Sequence, residues 1–144
     1  MQWPNHGGGI ANRREAKHEH KISPQTVAKL KRKWSFTTTG DVTATPAIAN
    51  GVVYFPTWDG ELFAVKEKDG SLVWRRNLTD VVGSKTAIVS RHTPVVERKH
   101  LLVGIYLPGL VVALDITTGH LIWSKLLDSN PYACITMSGT VYKR

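Results

Sequence analysis

Few residues in this sequence have the type and spacing that chemistry needs. His18-Glu19-His20 places two imidazoles one residue apart, and in an extended strand alternate residues share a face, so the pair could chelate a metal ion. The run lies between lysines in a polar stretch, where a solvated segment is the simpler expectation. The single cysteine, Cys134, rules out an internal disulfide and a multi-cysteine zinc site, and its apolar flanks Ala133 and Ile135 predict a buried, inert thiol. Asn77-Leu78-Thr79 has the form of a glycosylation acceptor, and Trp58-Asp59-Gly60 reads as a hairpin turn. No nucleophile triad, phosphate-binding glycine loop or paired-carboxylate site is visible.

The 144 residues are 42% hydrophobic and 21% charged, with a formal net charge of +8. No apolar run reaches the ~18–20 residues of a membrane helix; the longest, Leu101 to Leu114, is broken by Gly104, Pro108 and Gly109. Much of the positive charge sits early, at Arg13, Arg14, Lys17, Lys21, Lys29, Lys31, Arg32 and Lys33. Such a stretch attracts polyanions in general. No groove-reading helix, zinc finger or aromatic RNA platform accompanies it, so nucleic acid is not an expected partner.

Residues 1–33 read as an irregular lead-in with one short helix near 24–31. Ser23 is its expected cap, Pro24 its first residue, and Ile22 and Val27 have the spacing of a hydrophobic staple, with Leu30 on the same face as Val27. From there the pattern turns to strands. Val52 to Thr57 is β-branched and aromatic, Asp59-Gly60 is a turn, 61–66 alternates, Asp69-Gly70 turns again, and Leu72 opens another strand.

The decisive feature is an internal repeat. Gly60, Leu62, Ala64, Gly70, Leu72 and Trp74 recur as Gly109, Val111, Ala113, Gly119, Leu121 and Trp123 at a period of about 49 residues. Thr45-Pro46 recurs as Thr93-Pro94. Four short strands per unit at that period is the size of a propeller blade. The strands are expected near 43–49, 52–57, 61–66 and 72–77, and near 92–97, 101–106, 110–115 and 121–126. The organisation is therefore a lead-in (1–33), an orphan outer strand and linker (34–42), a first blade (43–80), a second (81–128), and the start of a third (129–144), with its innermost strand from Ile135 to Tyr142. Lys33 to Thr37 reads as an outermost strand because Trp34 matches Trp74 and Trp123. An orphan strand at each end predicts an N-terminal fragment of an all-β partial propeller built from four-stranded antiparallel blades.

The motif at the heart of each unit has a physical logic. In Ala113-Leu114-Asp115-Ile116-Thr117-Thr118-Gly119-His120-Leu121-Ile122-Trp123, Gly119 permits a tight left-handed turn and Asp115 and Thr118 can bond its backbone. Trp123 then offers roughly 150–250 Å² of flat surface to the next blade. Ala64, Gly70 and Trp74 hold the same places in the first unit, with Lys66 and Asp69 at the Asp and Thr positions. The pattern A-x-D-x-x-T-G-x-x-x-W resembles the tryptophan-docking motif of the quinoprotein alcohol dehydrogenase propellers. Trp3-Pro4-Asn5-His6-Gly7, Asn12-Arg13-Arg14, Ala44-Thr45-Pro46 and Gly51-Val52-Val53-Tyr54 resemble the N-terminal part of that family. Ser90-Arg91-His92-Thr93-Pro94, Asp128-Ser129-Asn130-Pro131 and Ile135-Thr136 look most like its polyvinyl-alcohol-dehydrogenase-like branch.

The resemblance implies oxidation of an alcohol or polyol by pyrroloquinoline quinone on the ring axis, with a calcium or lanthanide ion as Lewis acid and an Asp as base. It also implies a secreted or extracytoplasmic setting, although Met1-Gln2-Trp3-Pro4 opens no signal region. Three departures follow. Typical members place a Glu where Thr43 stands, they stack a vicinal disulfide on the quinone where this chain has one cysteine, and their metal ligands and catalytic Asp belong to later blades. No catalytic or metal-binding residue is therefore expected here. The cofactor-facing candidates are Arg91, Ser90, Thr43 and Thr45, on or beside innermost strands, with Arg91 able to pair with a carboxylate. The competing expectation for Arg91 is a salt bridge between blades. The alternative function is a non-enzymatic propeller of the same repeat that binds another protein, since assembly-factor and sensor propellers carry it too. The partners expected are the remaining blades and, in an enzyme, a small alcohol. Alone, the chain is expected to self-associate through uncovered faces and edges.

Overall fold

The computed structural model describes residues 2–16 and 18–142. Lys17 of the basic run, and Lys143 and Arg144 of the expected third blade, lie outside them. Two antiparallel sheets carry the fold. The first runs β1 (Ala47–Ala49), β2 (Val52–Pro56), β3 (Glu61–Lys66), β4 (Leu72–Asn77) in chain order. A helix, α1 (Leu78–Val82), leads to β5 (Val95–Glu97), β6 (His100–Gly104), β7 (Leu110–Asp115) and β8 (Leu121–Leu126), again in order. The repeat holds down to the register. Ala64 pairs with Trp74 and Ala113 with Trp123, and each ladder shifts immediately afterwards, at Ala64/Val65 and Ala113/Leu114.

Alternation places opposite faces of each strand against different neighbours. Tyr54, Leu62, Ala64 and Trp74 of the first sheet form one core with Leu101, Val103, Val112 and Leu114 of the second. Each large aliphatic side chain buried there contributes about 1.5–3 kcal/mol. The other face of the first sheet, Val53, Phe55, Phe63 and Val65, is covered by Trp34 and Phe36, the Phe36 ring meeting Phe63 edge-on at 5.3 Å.

The sheets dock through the tryptophans. Trp74 lies on the β7–β8 turn, where a Cβ on Gly119 would stand 2.9 Å from its ring, and its Nε1–H donates to the Ile116 carbonyl at 3.1 Å. Trp34 lies on the β3–β4 turn in the same way, against Gly70, donating to the Glu67 carbonyl at 2.9 Å. Trp123 has no third sheet to meet among the described residues and is 44% exposed, against 6% for Trp74.

Several expected elements differ. Lys33 to Thr37 and Ile135 to Tyr142 form no strand, because a strand exists only as a member of a pair and no ladder lies beside either stretch. Trp34 nonetheless docks as a fourth-strand tryptophan does. The helix near 24–31 shrinks to a 3₁₀ turn, Val27–Lys29, with no side-chain cap bond. Thr26 Oγ1 accepts from the Ser23 amide instead, at 2.8 Å. Ile22, Val27 and Leu30 stay exposed, so no staple forms; so short a segment without a surface to pack on does not propagate an α-helix. The helix that does form, α1, was not foreseen. Asn77 caps it by accepting from the Thr79 amide at 2.9 Å, and Gly83 ends it in the left-handed region at φ 64°.

The lead-in also has an unforeseen place. Trp3 pairs with Ile48 in an antiparallel bridge, and the Pro4 carbonyl accepts from the Val96 amide at 2.9 Å. Residues 3–4 therefore tie the inner edges of β1 and β5 together.

Candidate functional site

The end of each sheet that carries the turn between second and third strands gathers the residues singled out above. In the first sheet the approach to β1 lies beside that turn, as the Trp58 amide bonding to the Asp41 carbonyl at 2.9 Å records. Thr43 and Thr45 lie on this approach. In the second sheet the Tyr106 amide bonds the Val89 carbonyl at 2.9 Å, setting Ser90 and Arg91 at the corresponding place.

Each candidate has a definite setting. Thr43 is exposed. Thr45 Oγ1 accepts from His6 at 3.2 Å, and Arg14 donates to the other ring nitrogen of His6, Nε2, at 3.2 Å. Because guanidinium only donates, Nε2 is the acceptor and the ring proton sits on Nδ1, facing Thr45. Ser90 is fully buried; its hydroxyl donates to the Gly104 carbonyl at 2.7 Å and accepts from the His92 amide at 3.1 Å. Arg91 makes no interblade ion pair among the described residues. Its guanidinium lies 5.6 Å from the Trp58 ring centre and 5.9 Å from that of Tyr106, and those two rings meet edge-on at 5.4 Å. Trp58 comes from the first sheet and Tyr106 from the second, so the cation sits on an aromatic pair that joins them.

Sequence reasoning missed His6, Arg14, Trp58, Tyr106 and the deep burial of His92. His92 is 6% exposed, its Nε2 accepts from the Gly139 amide at 3.0 Å, and burial pushes its pKa down to about 4. His92 stands between Arg91 and Thr93, so nothing in its local sequence marks it as buried.

The remaining motifs resolve into structure. Asp115 Oδ1 accepts from the amides of Thr117 and Thr118 and from the Thr118 hydroxyl at 2.8–3.0 Å, which holds its carboxyl below the usual range. Asp59 accepts from the hydroxyls of Thr39 and Thr57, the turn role expected of it. Glu19 accepts from the amides of Lys21 and Ile22, and no cluster of three metal-ligating side chains occurs among the described residues. Asn77 of the glycosylation-like tripeptide caps α1 and donates to Glu61 at 3.1 Å. Cys134 is exposed, contrary to expectation: the stretch it sits in forms no strand whose inner face could bury it. A cleft of about 1070 Å³ lies in the lead-in, lined in part by Trp3, Gly7, Arg13, His18 and Glu67; none of Thr43, Thr45, Ser90 or Arg91 borders it.

These side chains do not by themselves fit a polycarboxylate quinone and its metal ion. The Ser90 hydroxyl has both of its bonds inside the fold and Thr43 offers no carboxylate; Arg91, resting on the Trp58 and Tyr106 rings, is the one candidate whose donors suit an anion.

Two four-stranded leaves, each receiving the preceding tryptophan on a glycine turn, define part of a β-propeller of the pyrroloquinoline-quinone type. Residues 28–134 match the family model PQQ_2, described as outer membrane protein assembly factor BamB, and the chain belongs to that family. It is 24% identical over 142 residues to the polyvinylalcohol dehydrogenase of a Pseudomonas species, covering 99% of this chain and 22% of that protein. It is 32% identical over 82 residues to the lanthanide-dependent methanol dehydrogenase of Methylacidiphilum fumariolicum, covering 54% of this chain and 13% of that one. The solved quinohemoprotein alcohol dehydrogenase of Pseudomonas putida HK5 superposes with a TM-score of 0.81 at 26% identity, over 98% of this chain and 21% of that chain. The chain thus spans about a fifth or less of the length of these relatives. Among the described residues no helix is long and apolar enough to cross a membrane.

Proposed function

We propose that the chain supplies two adjacent blades of a quinoprotein dehydrogenase that oxidises an alcohol or polyol once further repeats complete the ring. The observation that carries this reading is the alignment of 142 residues with a polyvinylalcohol dehydrogenase. Support comes from docking geometry repeated at Trp34–Gly70 and Trp74–Gly119. Pyrroloquinoline quinone and calcium are then cofactors of the assembled ring, and Thr45, Ser90 and Arg91 stand at the end of the blades that faces them. The uncovered partner surface is the second leaf's far face, where Trp123 lies exposed; it takes the next blade, and in its absence the chain self-associates. The setting is extracytoplasmic.

The test is made on the protein that carries this chain together with its remaining repeats. Pyrroloquinoline quinone and calcium are added, and dye reduction is followed with short alcohols, diols and vinyl-alcohol oligomers. Cofactor-dependent reduction supports the reading. No cofactor binding and no turnover with any alcohol overturns it.

A second reading, a non-enzymatic scaffold that binds another protein, is favoured by two observations: the neutral Thr43 on the approach to β1, and the assembly-factor description of the matching family. It predicts no cofactor binding at all, so the same titration separates the two.

A further inference from the structure

The stretch 133–140 crosses the inner end of the second sheet without joining a ladder, held by scattered bonds. The Ile135 amide reaches the Tyr106 carbonyl at 3.3 Å. The Thr93 amide reaches Ser138 Oγ at 3.1 Å. Asn5 Nδ2 reaches Thr140 Oγ1 at 2.9 Å. Between them, the Gly139 amide donates to His92 Nε2 at 3.0 Å. We propose that His92 is an acid-sensitive latch that fastens this strap to the second sheet.

The geometry requires the neutral ring. A backbone amide can only donate, so Nε2 must be the unprotonated nitrogen and the ring proton lies on Nδ1. Nδ1 is buried with no hydrogen-bond partner, so the site gives nothing to a second ring proton. Protonating Nε2 would set an N–H against the Gly139 N–H and bury an unpaired cation. The ring is packed against the sheet. It and the Ile135 side chain both press on Gly104, where a Cβ would stand 2.7 Å from each. The groups placed beside the ring are Gly104 of β6 and Gly139 of the strap, with the Ser90 hydroxyl on the His92 backbone amide. None is charged or titratable, and the neighbouring Arg91 turns to Trp58 and Tyr106. Burial is the single cause of the ring's lowered pKa.

A released ring titrates near 6.5 and the latched ring near 4. Between those values the released state binds more protons, so the latch is at full strength above about pH 6.5 and weakens as pH falls toward 4. From pH 8 to pH 4.5 the opening equilibrium shifts on the order of 50- to 100-fold. Acid thereby frees the stretch expected to open the next repeat, whatever chemistry the assembled ring performs.

Amide hydrogen exchange of this chain, followed by mass spectrometry between pH 8 and pH 4.5 and corrected for intrinsic rates, tests it. Peptides covering 133–142 are expected to lose protection by that factor while peptides from β3 and β7 hold theirs. His92→Gln supplies an acceptor that does not titrate and is expected to keep the strap protected at every pH. His92→Leu is expected to leave it open at pH 8. Strap protection that does not change with pH overturns the proposal, as does a His92→Gln chain that follows the wild type, or strap and sheets losing protection together. If His92→Leu does not fold, the comparison of wild type with His92→Gln decides alone.

Discussion

Trp74 and Trp123 occupy equivalent places in the repeat yet stand in opposite environments, and replacing each by alanine separates sequence equivalence from structural role. Trp74 is 6% exposed and is a central member of the interleaf core. Truncating a buried Trp to Ala costs about 3–5 kcal/mol. It also leaves the Ile116 carbonyl, which accepts from the indole at 3.1 Å, without that partner, at about 1 kcal/mol more. The expected loss of roughly 4 kcal/mol is a large share of the ~5–15 kcal/mol that holds a typical domain together. Trp123 is 44% exposed and its indole touches no further leaf among the described residues, so Trp123→Ala should stay within about 1 kcal/mol. Gly119→Ala attacks the same joint from the other side. Its Cβ would stand 2.9 Å from the Trp74 ring on a backbone at φ +71°, a conformation L side chains avoid, and about 1–3 kcal/mol is expected. Urea unfolding followed by far-ultraviolet circular dichroism measures all three on the 144-residue chain, diluted until the transition no longer depends on protein concentration. Equal losses at Trp74 and Trp123, or a loss below about 1 kcal/mol at Trp74, would refute the docking argument.

Three further outcomes are expected. Asn77→Ala removes both the α1 cap and a donor to Glu61 and should lower stability by about 1–2 kcal/mol in the same unfolding assay. Glu61 is buried and held by Arg75 at 2.9 Å, whereas the Arg75 side chain is 60% exposed; Glu61→Leu should therefore cost more than Arg75→Ala, which should stay under about 1 kcal/mol, in thermal melts of the two variants side by side. The hydroxyls of Thr39 and then Thr57 hold the Asp59 carboxyl below its ordinary range. Its contribution is present above about pH 4 and lost as pH falls through the folded-state value. The melting temperature should consequently drop in acid, and Asp59→Asn should flatten that part of the profile.

The leaves were legible in the sequence because their determinants are local. Alternation in 61–66, turn glycines at 60, 70, 109 and 119, and a tryptophan after each second glycine all fall within one unit, and the repeat made each unit a control for the other. What the sequence concealed depends on contacts between stretches far apart in the chain. Lys33 to Thr37 has strand-like residues and a docked Trp34, yet its backbone finds no ladder among the described residues, and composition carries no information about whether a neighbour is present. α1 was hidden in Leu-Thr-Asp-Val-Val, a run with more β-branched residues than a helix favours; the Asn77 cap and the left-handed Gly83 override that preference. The candidate site was harder still. The sequence carried no sign that Arg91 rests on Trp58 and Tyr106, which meet because a turn from each leaf converges on the same spot. His6 and Arg14 join Thr45 only because Trp3 pairs with Ile48 and so lays the lead-in along β1 in the opposite direction, bringing residue 6 level with residue 45. The end of these two leaves that carries the β2–β3 and β6–β7 turns is thus set by the lead-in as much as by the repeats, so the chemistry there cannot be transferred from one leaf to the next in the way that the docking motif can.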